Sequence, residues 1–314
     1  MDKRFRIVFM GTPEFAAPSL KTLIAAGEDV AAVVTQPDKP KGRGKHLSPP
    51  PVKELALKYN IPVLQPEKIR DEAFINIIQK LRPDIIVVIA YGKILPKAIL
   101  DIPPKGCINV HASLLPKYRG AAPINWAIIN GEKETGITTM LMDEGMDTGD
   151  ILLTERVEIQ DNDTTDSVYE KLKDIGANLL IKTISGLKKG MVRPIDQDDS
   201  YATYAPMLKK EDGRIDWAIK PEEIRNLIRG MYPWPGAYTR WEGKQLKIFK
   251  AQVASEERTS EEPGVIIKTS TDGIYVATGA GILLITELQP ENKSKMSASE
   301  FIKGYKIGKG QIFD

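Results

Sequence analysis

Cysteine, histidine and bulk charge are all scarce in this 314-residue chain. Its single cysteine, Cys107, excludes an internal disulfide framework and a cysteine-rich zinc site. Two histidines, His46 and His111, are too few for a histidine cage, and no metal is expected. With 44 Lys and Arg against 42 Asp and Glu, the net charge is only +2, which argues against coating a polyanion through bulk charge. Any contact with nucleic acid must come from a local basic patch. The longest apolar run, Ile85 to Tyr91, is far short of the ~18 residues of a membrane span. The stretch Ile7 to Met10 is too short for a signal peptide, so a soluble, reduced, cytoplasmic protein without a membrane partner is expected, acting as a monomer.

What is present is an ordinary globular composition, 42% hydrophobic and 27% charged, in a chain long enough for two domains. Uniformly apolar stretches at Arg6–Met10, Val30–Val34 and Asp84–Ala90 alternate with amphipathic ones at Phe15–Ala26, Val52–Tyr59 and Phe74–Leu81. Buried strands separated by helices predict an α/β domain with a mostly parallel sheet covered on both faces. Further strands are expected at Gly106–Val110, Ile137–Met142 and Ile151–Val157, then a helix from Thr164 to Leu187. The pattern then breaks. Residues 190–208 are polar and aperiodic and read as a linker between a domain at 1–189 and another at 209–314. The second holds five short strand-like segments with hairpin signals at Thr271-Asp272-Gly273 and Gly279-Ala280-Gly281, which predict a small OB-like β-barrel.

Ligands of an open parallel sheet bind at the carboxyl ends of its strands. Asn109 and His111 lie where the Gly106–Val110 strand runs out, and residues two apart in a strand project to the same side. A second loop, Met142 to Asp150, carries Asp147 between glycines that let the backbone turn and bring it inward. This set suits acyl transfer to an amine. A neutral imidazole takes and returns a proton near neutral pH, a carboxylate beside it fixes its tautomer, and an amide donates to a developing oxyanion. Cys107 reads as a small core residue rather than a reactive thiol.

These motifs, Asn109-Val-His111-Ala-Ser-Leu-Leu-Pro116, Arg119-Gly-Ala-Ala-Pro123 and Asp147-Thr-Gly-Asp150, resemble the signature of the 10-formyltetrahydrofolate-dependent formyltransferases. The likeness runs from Gly11-Thr-Pro-Glu-Phe15 through Tyr232-Pro-Trp-Pro-Gly236 to the end of the chain. It implies a Rossmann-like domain holding the formyl donor and an OB-like domain helping to hold tRNA. It implies catalytic roles for Asn109, His111 and Asp147. It also implies that Ser113, Leu114, Leu115 and Pro116 lie along the 10-formyltetrahydrofolate. The strand end Ile89, Ala90, Tyr91 and Gly92 is expected to form another wall of that cleft.

The catalytic trio does not select the acceptor, since relatives formylate glycinamide ribonucleotide or an amino-sugar nucleotide. The segment Pro37 to Leu47 carries Lys39, Lys41, Arg43 and Lys45 against Asp38 alone, on a Gly- and Pro-rich loop. Four cations on such a loop suit a phosphate backbone, and the segment resembles the family's loop for a tRNA acceptor stem. The acceptor so implied is methionyl-initiator tRNA, formylated on its α-amino group for translation initiation. Lys293, Lys295, Lys303, Lys306 and Lys309 offer a second, weaker patch. Three alternatives stay open: a formyltransferase for an amino-sugar nucleotide, a formyltetrahydrofolate hydrolase-like enzyme, and a non-catalytic Rossmann-like RNA-binding protein. The first turn, Gly11-Thr12-Pro13, lacks the G-x-G-x-x-G fingerprint and gives little support to a dinucleotide site.

Overall fold

A seven-stranded sheet forms from the apolar stretches of the first half in a computed structural model that describes residues 4–41 and 46–314, with the backbone but not the side chains of Lys41 and His46. Its strands are β1 (Arg6–Gly11), β2 (Asp29–Val34), β5 (Val63–Leu64), β6 (Ile85–Ile89), β7 (Cys107–His111), β9 (Glu134–Leu141) and β10 (Ile151–Glu158). Three short pieces complete this half: β3 (Lys39–Lys41) and β4 (His46–Ser48) pair as an antiparallel hairpin, and β8 is Arg119–Gly120. The sheet order is β10-β9-β7-β6-β1-β2-β5. Strands β5, β2, β1, β6 and β7 run parallel, and β9 runs antiparallel to β7.

All five residues of β6 are buried, as are Ile7 to Met10 of β1, because helices cover both faces of the central strands. These helices are α1 (Ala17–Ala25), α2 (Pro51–Lys58), α3 (Glu72–Leu81), α4 (Lys97–Leu100) and α6 (Thr165–Lys188), whereas α5 (Pro123–Ile129) belongs to the second compact unit described below. Helix α3 shows how sequence sets its limits. The Asp71 carboxylate accepts the Ala73 N–H at 3.0 Å at its start, Phe74 and Ile78 face the core, and Arg82 stops it with φ of 47°. The chain builds outward from β1 to β2 and β5, then returns to β6 on the other side of β1. That reversal lies where Gly11 of β1 pairs with Ile89 of β6, the position at which open α/β sheets form their ligand crevice.

The contacts divide the chain into two compact units. The first comprises residues 1–120, 135–157 and 169–205 and contains the seven-stranded sheet. Its last segment is anchored: β11 (Tyr204–Ala205) pairs in parallel with β8, and Ile195 bridges Ile151. The second unit comprises residues 121–134, 158–168 and 206–314. Within it β12 (Ala237–Trp241), β13 (Lys244–Ser255), β14 (Ile266–Ser270), β15 (Gly273–Thr278), β16 (Gly281–Pro290) and β17 (Met296–Ser297) form an antiparallel OB-like sheet in the order β12-β13-β16-β15-β14, with β17 on β16. Bulges along β13 at 248/250 and 253/255 bend this long strand. Helices α7 (Pro221–Gly230) and α8 (Ala298–Gly304), absent from the sequence reading, add Ile224, Ile228 and Phe301 to its core.

Candidate active site

Strand β7 carries Asn109 and His111 to the carboxyl edge of the sheet, and both side chains reach Asp147 in the loop between β9 and β10. Two donors hold the carboxylate, and an imidazole nitrogen lies beside it. Asp147 Oδ2 accepts the Gly120 N–H at 2.8 Å, Asn109 Nδ2 donates to Oδ1 at 3.3 Å, and His111 Nδ1 lies 3.6 Å from Oδ2. The His111 side chain is 7% exposed and that of Asp147 16%, so this cluster is largely removed from water. Asp147 has φ of 56°, a left-handed conformation that Asp tolerates better than most residues. The turn therefore falls on Asp147 itself. Gly149 serves close approach instead: a Cβ there would collide with the Leu141 carbonyl.

The tautomer of His111 is set from the far side of the ring. Nε2 lies 2.9 Å from the Tyr118 carbonyl, which can only accept, so Nε2 carries the hydrogen. In the neutral ring Nδ1 is therefore the bare nitrogen, and it faces Asp147. On sequence alone the carboxylate is expected to fix the tautomer. A backbone carbonyl does it, and a backbone carbonyl leaves no mark in the sequence. Tyr118 turns this carbonyl toward the ring from a left-handed φ of 61°, with its N–H donated to the Thr203 hydroxyl at 2.8 Å.

The other expected residues are distributed as follows. Ser113 and Leu115 are turned into the protein, and both bind Thr138: its hydroxyl donates to the Ser113 carbonyl at 2.7 Å and accepts the Leu115 N–H at 3.1 Å. The Ser113 hydroxyl donates to the Lys117 carbonyl at 2.6 Å, so Leu114 and Pro116, both half-buried, are left as the accessible side chains of this turn. On the neighbouring strand end Ile89 and Tyr91 are buried, whereas Ala90 and Gly92 are exposed with φ of 46° and 77°. Gln36, missed in the sequence, ties this edge together by donating to the Tyr91 carbonyl at 2.9 Å. Burial pushes the Tyr91 phenol up to about 12, and it pushes the Cys107 thiol, 1% exposed two residues before Asn109, up to about 12 as well.

Of the cationic segment, Lys39 lies on β3, which pairs with β4. Lys39 Nζ donates to Gln36 Oε1 at 2.8 Å, and beneath it Lys53 and the Gln65 amide both hold Asp38 at 2.8 Å. Arg43 and Lys45, and the side chain of Lys41, lie outside the described residues. In the second unit Lys295 pairs with Glu287 at 2.9 Å and covers the Phe249 ring at 4.9 Å. Among the described residues no group of three or more His, Cys, Asp or Glu could hold a metal, and no helix is long and apolar enough to cross a membrane.

Comparison with known proteins adds the following. The family described as formyl transferase matches residues 4–184, and the formyl transferase C-terminal domain matches residues 207–306. The chain is 56% identical over 307 residues to a methionyl-tRNA formyltransferase of Citrifermentans bemidjiense, covering 98% of this chain and 96% of that one. It is 54% identical to another of that name from Desulforamulus reducens, covering 98% and 97%. Among solved structures, an N-formyltransferase from Helicobacter canadensis with folinic acid and dTDP-3-aminofucose matches with a TM-score of 0.67 at 20% identity, over 91% of this chain and 100% of that one. HypX from Aquifex aeolicus in complex with tetrahydrofolic acid matches with a TM-score of 0.61 at 16% identity, and this chain spans 47% of its length while 96% of this chain is covered. Those two likenesses concern the fold alone. Matched by both domains and by relatives of more than half identity over nearly its whole length, the chain belongs to the formyl transferase family, among relatives named methionyl-tRNA formyltransferase.

Proposed function

We propose that this enzyme transfers the formyl group of 10-formyltetrahydrofolate to the α-amino group of methionyl-initiator tRNA, and that Asn109, His111 and Asp147 carry the reaction. The observation that bears most weight is their convergence: an amide donor, a bare imidazole nitrogen and a carboxylate meet at the carboxyl edge of a parallel sheet. The α-amine attacks the formyl carbon and forms the new C–N bond. The second N–H of Asn109 donates to the oxyanion, and His111 Nδ1 takes the proton lost by the amine. Asp147 then faces an imidazolium and stabilises it. As the bond from the formyl carbon to N10 breaks, that nitrogen receives the proton, and tetrahydrofolate leaves.

In this reading Leu114, Pro116, Ala90 and Gly92 offer an apolar surface for the flat ring of the folate, while Ser113, Leu115, Ile89 and Tyr91 shape it from behind. Lys39, Lys41, Arg43 and Lys45 grip the acceptor stem through its phosphates. Residues 1–189 supply the catalytic domain, 190–208 the connection, and 209–314 the domain that helps hold tRNA. The enzyme works as a cytoplasmic monomer. The test is direct: purified protein is incubated with 10-formyltetrahydrofolate and either methionyl-initiator tRNA or an amino-sugar nucleotide, and transfer of labelled formyl is scored. Transfer to the sugar nucleotide alone would overturn the choice of acceptor.

A further inference from the structure

The segment after α6, polar and aperiodic in sequence, returns to the site and touches it at two points. Thr203 holds the Tyr118 N–H that accompanies the carbonyl on His111. Gln197 holds the backbone on which Asp147 sits. Its Nε2 donates to the Asp147 carbonyl at 2.9 Å and to the Gly149 carbonyl at 2.7 Å. Its Oε1 accepts from Arg119 Nε at 3.1 Å and from Arg119 Nη2 at 2.8 Å. All four contacts fix one orientation of the amide. Flipping it would set an oxygen against two carbonyls and an NH2 group against a guanidinium.

Arg119 is only 2% exposed, its charge is met by Asp199 at 2.7 Å, and the next residue is Gly120, whose N–H binds the Asp147 carboxylate. The contacts therefore close a ring: Asp147 carboxylate, Gly120 N–H, Arg119, Gln197 and the Asp147 carbonyl. Residues 143–146 of the Asp147 loop are exposed, so the loop has little burial of its own to hold Asp147 in its left-handed conformation. We propose that Gln197 is a positioning residue for formyl transfer, holding Asp147 at the distance at which its carboxylate meets His111 Nδ1. This rests on the proton relay proposed above.

The test separates positioning from folding by the choice of substitution. Gln197→Ala removes both halves of the contact and leaves buried Arg119 with Asp199 alone, which can impair folding. Gln197→Glu keeps an acceptor for Arg119 and sets an oxygen against the Asp147 and Gly149 carbonyls, so it breaks only the half that reaches the site. Displacing a catalytic group by ~1 Å can cost ~100-fold in rate. Gln197→Glu should therefore lower kcat about 10- to 100-fold, with KM for the folate donor within twofold of wild type. Combined with Asp147→Ala, Gln197→Glu should lower kcat no further, because a residue that acts through Asp147 has nothing left to position. Wild-type kcat in Gln197→Glu, beside an impaired Asp147→Ala, overturns the positioning role and leaves the relay standing. Full multiplication of the two losses overturns it as well. Undiminished turnover in Asp147→Ala alone overturns the relay itself, and the positioning role with it.

Discussion

Thr138 of β9 sits opposite His111 in the sheet, is fully buried, and spends its hydroxyl on the turn expected to line the folate. Thr138→Val keeps the shape and removes the oxygen. Two groups then lose their partner in a dry environment: the Leu115 N–H, at 3.1 Å, and the Ser113 carbonyl, at 2.7 Å. An unsatisfied buried group costs about 1–3 kcal/mol, so the pair amounts to about 2–4 kcal/mol once the easier burial of a methyl is allowed for. That is a large share of the roughly 5–15 kcal/mol that holds a domain together. The Leu115 amide should exchange its hydrogen at least about 30-fold faster, since 1.4 kcal/mol is tenfold. A folate analogue should bind about fivefold more weakly or worse, because the loosened turn must be ordered again on binding. Thr138→Ser, which keeps the hydroxyl and drops one methyl, should restore most of both. Hydrogen exchange at Leu115 and a calorimetric titration read the two effects. Wild-type protection together with affinity within twofold would refute the claim that this hydroxyl braces the turn.

Three further outcomes follow from the same geometry. Asn109→Ala should lower turnover by ~10²–10³ and His111→Ala or Asp147→Ala by ~10²–10⁴ without unfolding, and pairs should fall short of the product because the three act together; any single variant above half of wild-type turnover would drop out of the relay. Alkylation of Cys107 needs the thiolate, and with the thiol at about 12 and 1% exposed the native protein should resist iodoacetamide at pH 8 and react once unfolded, whereas rapid native labelling would contradict the burial. Replacing Lys39, Lys41, Arg43 and Lys45 together by alanine should flatten the log–log salt dependence of tRNA binding by up to ~3 units at ~0.7–0.9 per phosphate neutralised, with folate binding unchanged; an unaltered slope would make the hairpin a solvated surface.

Much of this architecture is local and therefore written in the sequence. Ile85 to Ile89 is apolar throughout because both faces of β6 are covered, and that pattern is legible without a partner. The two-residue spacing of Asn109 and His111 already sends them to one side of β7. Two further elements leave cues in the sequence. Pro221 opens α7, with the Glu223 carboxylate on the Lys220 N–H and Ile224 and Ile228 on one face; Ser297 and Glu300 form a capping box at the start of α8. These cues are short and lie among strand-like segments.

Other features could be decided only by the tertiary structure. The Tyr118 carbonyl that sets the His111 tautomer belongs to the backbone, and every residue has a carbonyl. Gln197 lies 50 residues from the Asp147 carbonyl it holds, and Thr203 lies 85 from the Tyr118 N–H. Both sit in a stretch without hydrophobic period, which on sequence alone is a linker. Hydrophobic burial is non-directional and leaves a periodic trace along the chain, so it fixes elements and fold class from nearby residues. A hydrogen bond is directional and is made within about 3 Å by groups of any separation, so its partners exist only after the sheet has brought distant backbone together. The sequence by itself thus determined the sheet, its covering helices and the convergence of Asn109 and His111; folding alone decided which groups hold His111 and Asp147 in place.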